Sequence, residues 1–360
     1  MKKVCILLIL ILTILVGCSN IPDESEIKND NFCYLQLSGN EKKVYDTLCA
    51  ALNTRQSKIE ENIGNLNVQD FDKVYQAVVC DHPEYFWVTG AYTYSSGAVI
   101  GKEKVSGVEP EYALSDAEFE SKKAQFDNAV NQILSKCVLY SNDYDKAVYL
   151  HDVIVGGTDY VDDGDFYNAT AFGAIVNKKA ICAGYSKAYK LLLNKAGIKC
   201  EYVTGTLSEG EGHAWNIVTI QNENFWVDIT LDDPVFLGAN NSGVSIFYNY
   251  FGLTDEQFFN THTLSDNFSY PKCESEDYNY YKKNGLYISG GDISATEQII
   301  KSAYSNGKAV ALIKFSDMSA LDSVKNSIFN GNRIFEIIGK RSSVSYSVDS
   351  NNCLMIIKLR

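Results

Sequence analysis

Apolar positions recur at three- and four-residue intervals in several stretches of the chain. In residues 182–195, Tyr185, Ala188, Tyr189, Leu192 and Leu193 fall on one face of a predicted helix. Gly197 stands where a C-terminal cap belongs. The same period runs through "KKVYDTLCAAL", after Ser38 and Glu41, and through "FESKKAQFDNAVNQILSKC", after Ser115 and Glu118. Each Ser-x-x-Glu pair is a capping-box pattern, in which the two residues satisfy each other's backbone N–H. A further helix is predicted from Asp70 to near Cys80, and "DYDKAVYLHDVIV" gives another, ended by Gly156-Gly157. Between these lie aromatic and β-branched runs, "EYFWV" and "GAYTYSSGAVIG", read as strands and turns. "HAWNIVTI" and "FWVDIT", separated by the short polar "QNEN", read as an antiparallel hairpin. From about residue 284 the pattern alternates again. A strand near "GLYIS" precedes a helix opened by Ser294 and Glu297. A strand "AVALIKF" and a helix "SALDSVKNSIF" follow, then strands at "RIFEII", "SVSYSV" and "CLMIIKL". The expected class is α+β, with a small α/β unit at the C-terminal end.

The first residues read as an address. Lys2 and Lys3 precede an apolar run from Val4 to Val16, the length of a signal-peptide core and too short for a comfortable membrane span. The run ends in Leu15-Val16-Gly17-Cys18, which resembles the bacterial lipoprotein box. That resemblance implies cleavage before Cys18 and lipidation of Cys18. The protein is then exported and held by lipid at the outer face of the cytoplasmic membrane. Residues 1–17 are accordingly read as a signal peptide and 18–37 as a flexible tether, polar through "SNIPDESEIKND".

Composition narrows the function. The 360 residues allow two or three packed domains, and 46 % hydrophobic with 21 % charged residues is globular. A net charge of −13 argues against nucleic acid as a partner, since that affinity rests on Lys and Arg meeting phosphates. Ten cysteines are scattered without a CxxC pair, so zinc-ribbon and thioredoxin-like readings have no support. Most are expected to be small core residues. No metal-ligand spacing, phosphate loop or nucleotide fingerprint occurs, and neither metal nor cofactor is expected.

Cys182 stands at the start of the helix described first. Unpaired N–H groups and the positive end of the helix dipole favour a thiolate there, and the same N–H groups can hold a developing oxyanion. A cysteine in that place is nonetheless often structural, so a base has to be found. Of the four histidines, His82 precedes Pro83 in a turn, His151 lies within a helix, and His262 sits in the polar loop "FFNTHTLSDN". His213 opens a strand directly after the acidic, Gly-rich "SEGEG", a position at the lip of a cleft. Asp228 lies in the partner strand between Val227 and Ile229, company in which a carboxylate needs a partner. If the hairpin loop has two or four residues, His213 and Asp228 share a face; a three-residue loop would separate them. Cys182 as nucleophile, His213 as base and Asp228 as orienting acid make a general-base relay.

"AICAGYSKAYKLLLNKAGIKCEYVTG", "GHAWNIV" and "WVDITLDDP" resemble the three motif blocks of the transglutaminase-like superfamily of papain-like cysteine enzymes, with "LHDVIVGGTDY" upstream. The resemblance covers about residues 140–270. It implies a papain-like α+β core and puts the family's nucleophile, base and orienting acid on Cys182, His213 and Asp228. Two positions depart from the family pattern: Ala183, often acidic or an amide, and Leu231, often Trp. Tyr167 and Asn168 lie in the segment from which an oxyanion-hole side chain is expected, though they are also read as shaping a turn. The expected organisation is a helical and β-containing segment at 38–139, the core at 140–270 and the C-terminal unit at 284–360. The expected activity is acyl transfer through a thioester on peptide or glutamine-type carboxamides, with hydrolysis favoured over cross-linking and protein or cell-wall peptides as substrates. The alternative is a silent surface module that binds peptide or glycan.

Overall fold

The computed structural model describes residues 31–63, 66–99, 102–234, 244–339 and 344–359. Residues 1–30, which hold the expected signal peptide, Cys18 and most of the expected tether, lie outside the described residues. Among those described, no helix is long and apolar enough to cross a membrane.

The fold begins with α1 (Phe32–Leu35), α2 (Gly39–Asn53) and α3 (Val68–Asp81). Residues 31–37, expected in the tether, are packed instead. The first N–H groups of α1 need acceptors, and the Asp81 carboxylate at the end of α3 supplies them, taking Cys33 N–H at 3.1 Å and Tyr34 N–H at 3.0 Å. The capping box forms at α2, where Ser38 N–H donates to Glu41 at 2.6 Å. Helix α3 starts earlier than Asp70. Asn67 is its cap and accepts the Asp70 N–H at 2.8 Å.

Strands β1 (Val88–Val99) and β2 (Lys102–Tyr112) form an antiparallel ribbon. "EYFWV" is a run of turns that becomes strand at Val88, because Phe86 and Trp87 turn inward against Phe126 and Phe119. Two helices follow, α4 (Asp116–Cys137) and α5 (Asp143–Val155).

The central region holds β3 (Asp159–Tyr160), which pairs in parallel with β4 (Lys179–Ala180), and then α6 (Cys182–Lys195). Strands β5 (Lys199–Leu207), β6 (Gly212–Ile220), β7 (Glu223–Val227) and β8 (Phe251–Leu253) come next, followed by α7 (Asp255–Phe258) and β9 (His262–Leu264). These five strands make an antiparallel sheet in the order β8-β7-β6-β5-β9. Strand alternation divides its residues cleanly. Val218, Ile220, Phe225 and Val227 join the main core with the leucines of α6, whereas Val203, Trp215, Ile217 and Trp226 pack with Phe258 on the other face.

The C-terminal part runs through α8 (Tyr280–Lys283), β10 (Tyr287–Ile288), α9 (Ile293–Ser305), β11 (Val310–Phe315), α10 (Met318–Phe329), α11 (Arg333–Ile338), β12 (Val344–Asp349) and β13 (Leu354–Leu359). Its sheet has the order β10-β11-β13-β12, and it has a buried cluster of its own. "RIFEII", expected as a strand, is α11. Ile334, Ile337 and Ile338 are spaced to share one helical face and are buried together, and Gly339 ends the helix at φ 65°. Helix α9 is capped by Asp292, which accepts the Ala295 N–H at 2.9 Å, so Ser294 lies inside the helix.

Candidate active site

Cys182 is the first residue of α6, preceded by extended Ile181. The loop before it lies very close to the helix start. A Cβ at Gly184 would stand 2.3 Å from the Asn168 carbonyl oxygen, so only glycine lets the first turn form there. Gly184 and Tyr185 N–H both donate to Ile181 O, at 2.9 and 3.1 Å. The N–H groups of Cys182 and Ala183 have no i−4 carbonyl within the helix. The sulfur is half-buried.

His213 opens β6, and α6 is tied to the same strand. Ser186 Oγ donates to Ala214 O at 3.0 Å, and Asn216 Nδ2 donates to Ser186 O at 3.0 Å. These bonds fix the start of the helix against the start of the strand. The β6–β7 turn has two residues, Gln221 and Asn222, both with positive φ (52° and 66°). With a two-residue loop, the condition that puts His213 and Asp228 on one face is met. Asn216 pairs with Val227 as the last pair of the ladder, and Asp228, expected within the strand, follows directly after it, its N–H donating to Tyr250 O at 3.1 Å while its side chain reaches His213. His213 Nε2 donates to Asp228 Oδ2 at 2.7 Å. That leaves Nδ1 for Cys182, whose side chain is near enough to the ring to help hold its proton. Cys182, His213 and Asp228 are thus brought together.

Asp228 is fully buried and all its acceptor capacity is used. Oδ1 takes the N–H of Thr230 at 3.0 Å and of Leu231 at 3.1 Å. Oδ2 takes His213 and, at 3.1 Å, a second imidazole, His262 Nε2. Burial alone would raise this carboxyl, but the charge and hydrogen bond of His213, helped by His262, hold it well below the usual carboxylate range. For His213, burial works against the charged ring, while the Asp228 carboxylate and then Cys182 outweigh it and push the ring up to about 10.

His262 was expected in a loop. It opens β9, is 2 % exposed, and stacks on Phe258 with centroids 3.8 Å apart. Sequence reasoning missed it because β9 is only three residues long and carries no alternation to read. The donor atoms of His213, Asp228 and His262 lie within 4.8 Å of one another. Contacts of 2.7 and 3.1 Å from one carboxylate oxygen to two ring nitrogens are hydrogen-bond lengths, and the set is read as a hydrogen-bonded one.

Neighbouring aspartates hold the framework. Asp232 accepts from His151 Nε2 at 3.2 Å and from Tyr250 N–H at 3.0 Å; Asp233 accepts from Tyr185 OH at 2.7 Å. His151 therefore joins α5 to the loop after Asp228 and is fully buried. Asn168 does not face the sulfur as an oxyanion donor. Its amide nitrogen donates to Val161 O at 3.1 Å and to Asp163 at 2.9 Å. The ring of Tyr167 lies against Phe172, with the Lys122 ammonium 4.9 Å from its centroid. Both residues shape the loop. Tyr160, by contrast, lies where the Cys182 charge reaches it; burial first and that charge second push it up to about 12.

Residues 132–231 match the family model described as the transglutaminase-like superfamily. Among curated proteins no match was found. Solved structures similar over part of the chain include a TGase, with 15 % identity and a TM-score of 0.28, covering 38 % of this chain and 43 % of the other. A candidate cysteine protease from Cytophaga hutchinsonii has 15 % identity and a TM-score of 0.27, covering 41 % and 65 %. A candidate protease from Parabacteroides distasonis has 10 % identity and a TM-score of 0.24, covering 39 % and 36 %. In each case the aligned part spans less than two thirds of the other chain.

Proposed function

Residues 132–231 form a transglutaminase-like domain, and from that premise we propose that the protein is a cysteine-dependent acyl-transfer enzyme. The carrying observation is the line of contacts from Asp228 through His213 Nε2 and the imidazole to Cys182 at the start of α6. An imidazolium beside a sulfur favours the thiolate, the nucleophilic form. The sulfur attacks a carboxamide carbon, and the oxygen gains charge that the first-turn N–H groups of α6 stabilise. His213 Nδ1 gives its proton to the departing amine. The resulting thioester passes its acyl group to water or to a second amine, with Nδ1 taking the acceptor's proton.

Hydrolysis is the favoured outcome, because water is abundant and keeping it out requires special architecture. Protein or cell-wall peptides are the proposed substrates. The lipoprotein-like Leu15-Val16-Gly17-Cys18 supports placement at the outer face of the cytoplasmic membrane. The test is to offer glutamine-containing and wall-type peptides to wild type and Cys182→Ala, and to look for a thioester by intact mass. A covalent adduct that maps to Cys182 and disappears in the variant is the expected result. No adduct across the library, with Cys182 alkylated no faster than the other thiols, removes the reading.

A further inference from the structure

We propose that His262 is a positioning residue for the His213 base, acting through the shared carboxylate oxygen of Asp228. This rests on the acyl-transfer reading above and adds a fourth group to it.

The argument starts from protons. His262 Nε2 stands 3.1 Å from Asp228 Oδ2 in a fully buried setting. An unprotonated ring nitrogen there would set a lone pair against a carboxylate, so Nε2 carries the hydrogen. Its other nitrogen, Nδ1, lies 2.9 Å from Thr261 Oγ1, a hydroxyl able to donate to it. Nδ1 also lies 3.3 Å from the Phe258 carbonyl oxygen, and whichever of these partners it serves, the proton on Nε2 is aimed at Asp228. Packing allows no other aim. The ring is stacked on Phe258, with the edge of Trp215 4.9 Å away.

With Thr230 and Leu231 N–H on Oδ1, and His213 and His262 on Oδ2, Asp228 has no free acceptor direction in which to swing. A fixed carboxylate fixes the plane of the His213 ring, and hence where Nδ1 meets the sulfur. Removing His262 leaves Oδ2 with His213 as its one donor, so the oxygen that orients the base is held from one side instead of two. Other titratable groups face this carboxyl. Tyr160 from β3, Tyr250 ahead of β8 and Asp232 in the same loop all feel its charge.

Two substitutions on the full chain separate positioning from packing. His262→Phe keeps the aromatic stack and removes the proton; His262→Gln keeps a donor near the Nε2 position. The readouts are the rate of Cys182 alkylation by iodoacetamide from pH 4 to 8, mapped by mass, and kcat/KM on whichever peptide the acyl-enzyme screen yields. In His262→Phe both are expected to fall about 10-fold near neutral pH, with KM unchanged, the order of effect of a group standing behind a reacting one. The acid limb of alkylation should move to higher pH, because a less firmly held imidazolium supports the neighbouring thiolate less well. His262→Gln should restore most of the rate. An unchanged rate and acid limb in His262→Phe would overturn the proposal, as would equal losses in both variants that track their melting temperatures. Stoichiometric zinc in the purified wild type, absent from His262→Phe, would also overturn it. Failure of the acyl-transfer reading looks different: Cys182 would then react like an ordinary thiol in the wild type itself.

Discussion

The Cys182 site and the cluster around Cys49 use the same three kinds of side chain. Cys49 Sγ lies 3.4 Å from His82 Nε2, and His82 Nδ1 lies 2.7 Å from Glu84 Oε1. Both imidazoles are pushed up to about 10; in each, burial works the other way and a carboxylate outweighs it. The differences lie around the sulfur. Cys49 is inside α2, where the neighbouring backbone N–H groups are committed to carbonyls four residues back, so nothing is left for an oxyanion. It is 4 % exposed, whereas Cys182 is half-buried at a helix start. His82 Nε2 is also shared with Tyr45 OH at 3.2 Å. At His213 the two nitrogens have separate partners. Contact between the right residue types is therefore not a reactive site. Under the proposed function, what sets the Cys182 cluster apart is an approachable sulfur, unspent N–H groups and an undivided base.

Four experiments break or sharpen this contrast, and the largest effect comes first. Cys182→Ala should lower turnover by about 10⁴-fold or more, as removal of a nucleophile does. Cys49→Ala should leave kcat/KM within about twofold, while its lost buried sulfur lowers stability by about 1–2 kcal/mol in a denaturant titration. Equal losses of turnover would erase the distinction.

Replacing the carboxylates comes next. Asp228→Asn should cost about 10²–10⁴-fold in kcat/KM, because the ring loses its assigned tautomer. Glu84→Gln should change kcat/KM little and stability by less than about 1 kcal/mol, since Glu84 is partly exposed.

Native-state labelling is a smaller but direct test. At pH 6, iodoacetamide should modify Cys182 well before Cys49, and Cys49 only at the rate of local opening. Similar rates at both would show that access does not separate them.

The last test is in pH. His213 has a raised folded-state value, so its contribution to stability is fully present below the ordinary imidazole value of about 6.5 and is lost as pH rises through about 10. His82 carries the same sign. The unfolding free energy should therefore decline between pH 6.5 and 10, and less steeply in His82→Asn. Only the His213 part should also appear in turnover, as a fall in kcat/KM through about pH 10 when the imidazolium can no longer supply a proton. If His82→Asn moved that limb, the two clusters would have to be coupled.

The sequence made part of this legible. The helix face of 182–195, the cap at Ser38 and the parity of the β6–β7 hairpin are all written in neighbouring residues. Cys182, His213 and Asp228 could be named because each stands at the start or the side of a regular element. "RIFEII" misled because six residues rich in Ile suit a strand as well as a helix, and the burial of Ile334, Ile337 and Ile338 together decided for the helix.

His262 shows where local reading stops. Asp228 follows β7 and His262 opens β9, three strand positions away in the sheet order. At strand spacings of about 4.8 Å, a flat sheet would hold them about 14 Å apart along that direction. Their 3.1 Å contact requires the sheet to curl. The curl depends on close packing between distant segments. At Gly205, a Cβ would stand 2.0 Å from Thr263 O and 2.5 Å from the Trp215 ring, so the missing side chain is what lets β9 and Trp215 close in. Periodicity and capping act over a few residues, and the chain encodes them by itself. The convergence of four side chains on one carboxylate and one sulfur depends on sheet curvature, which is set by packing among residues far apart in sequence, and the tertiary structure alone decided it.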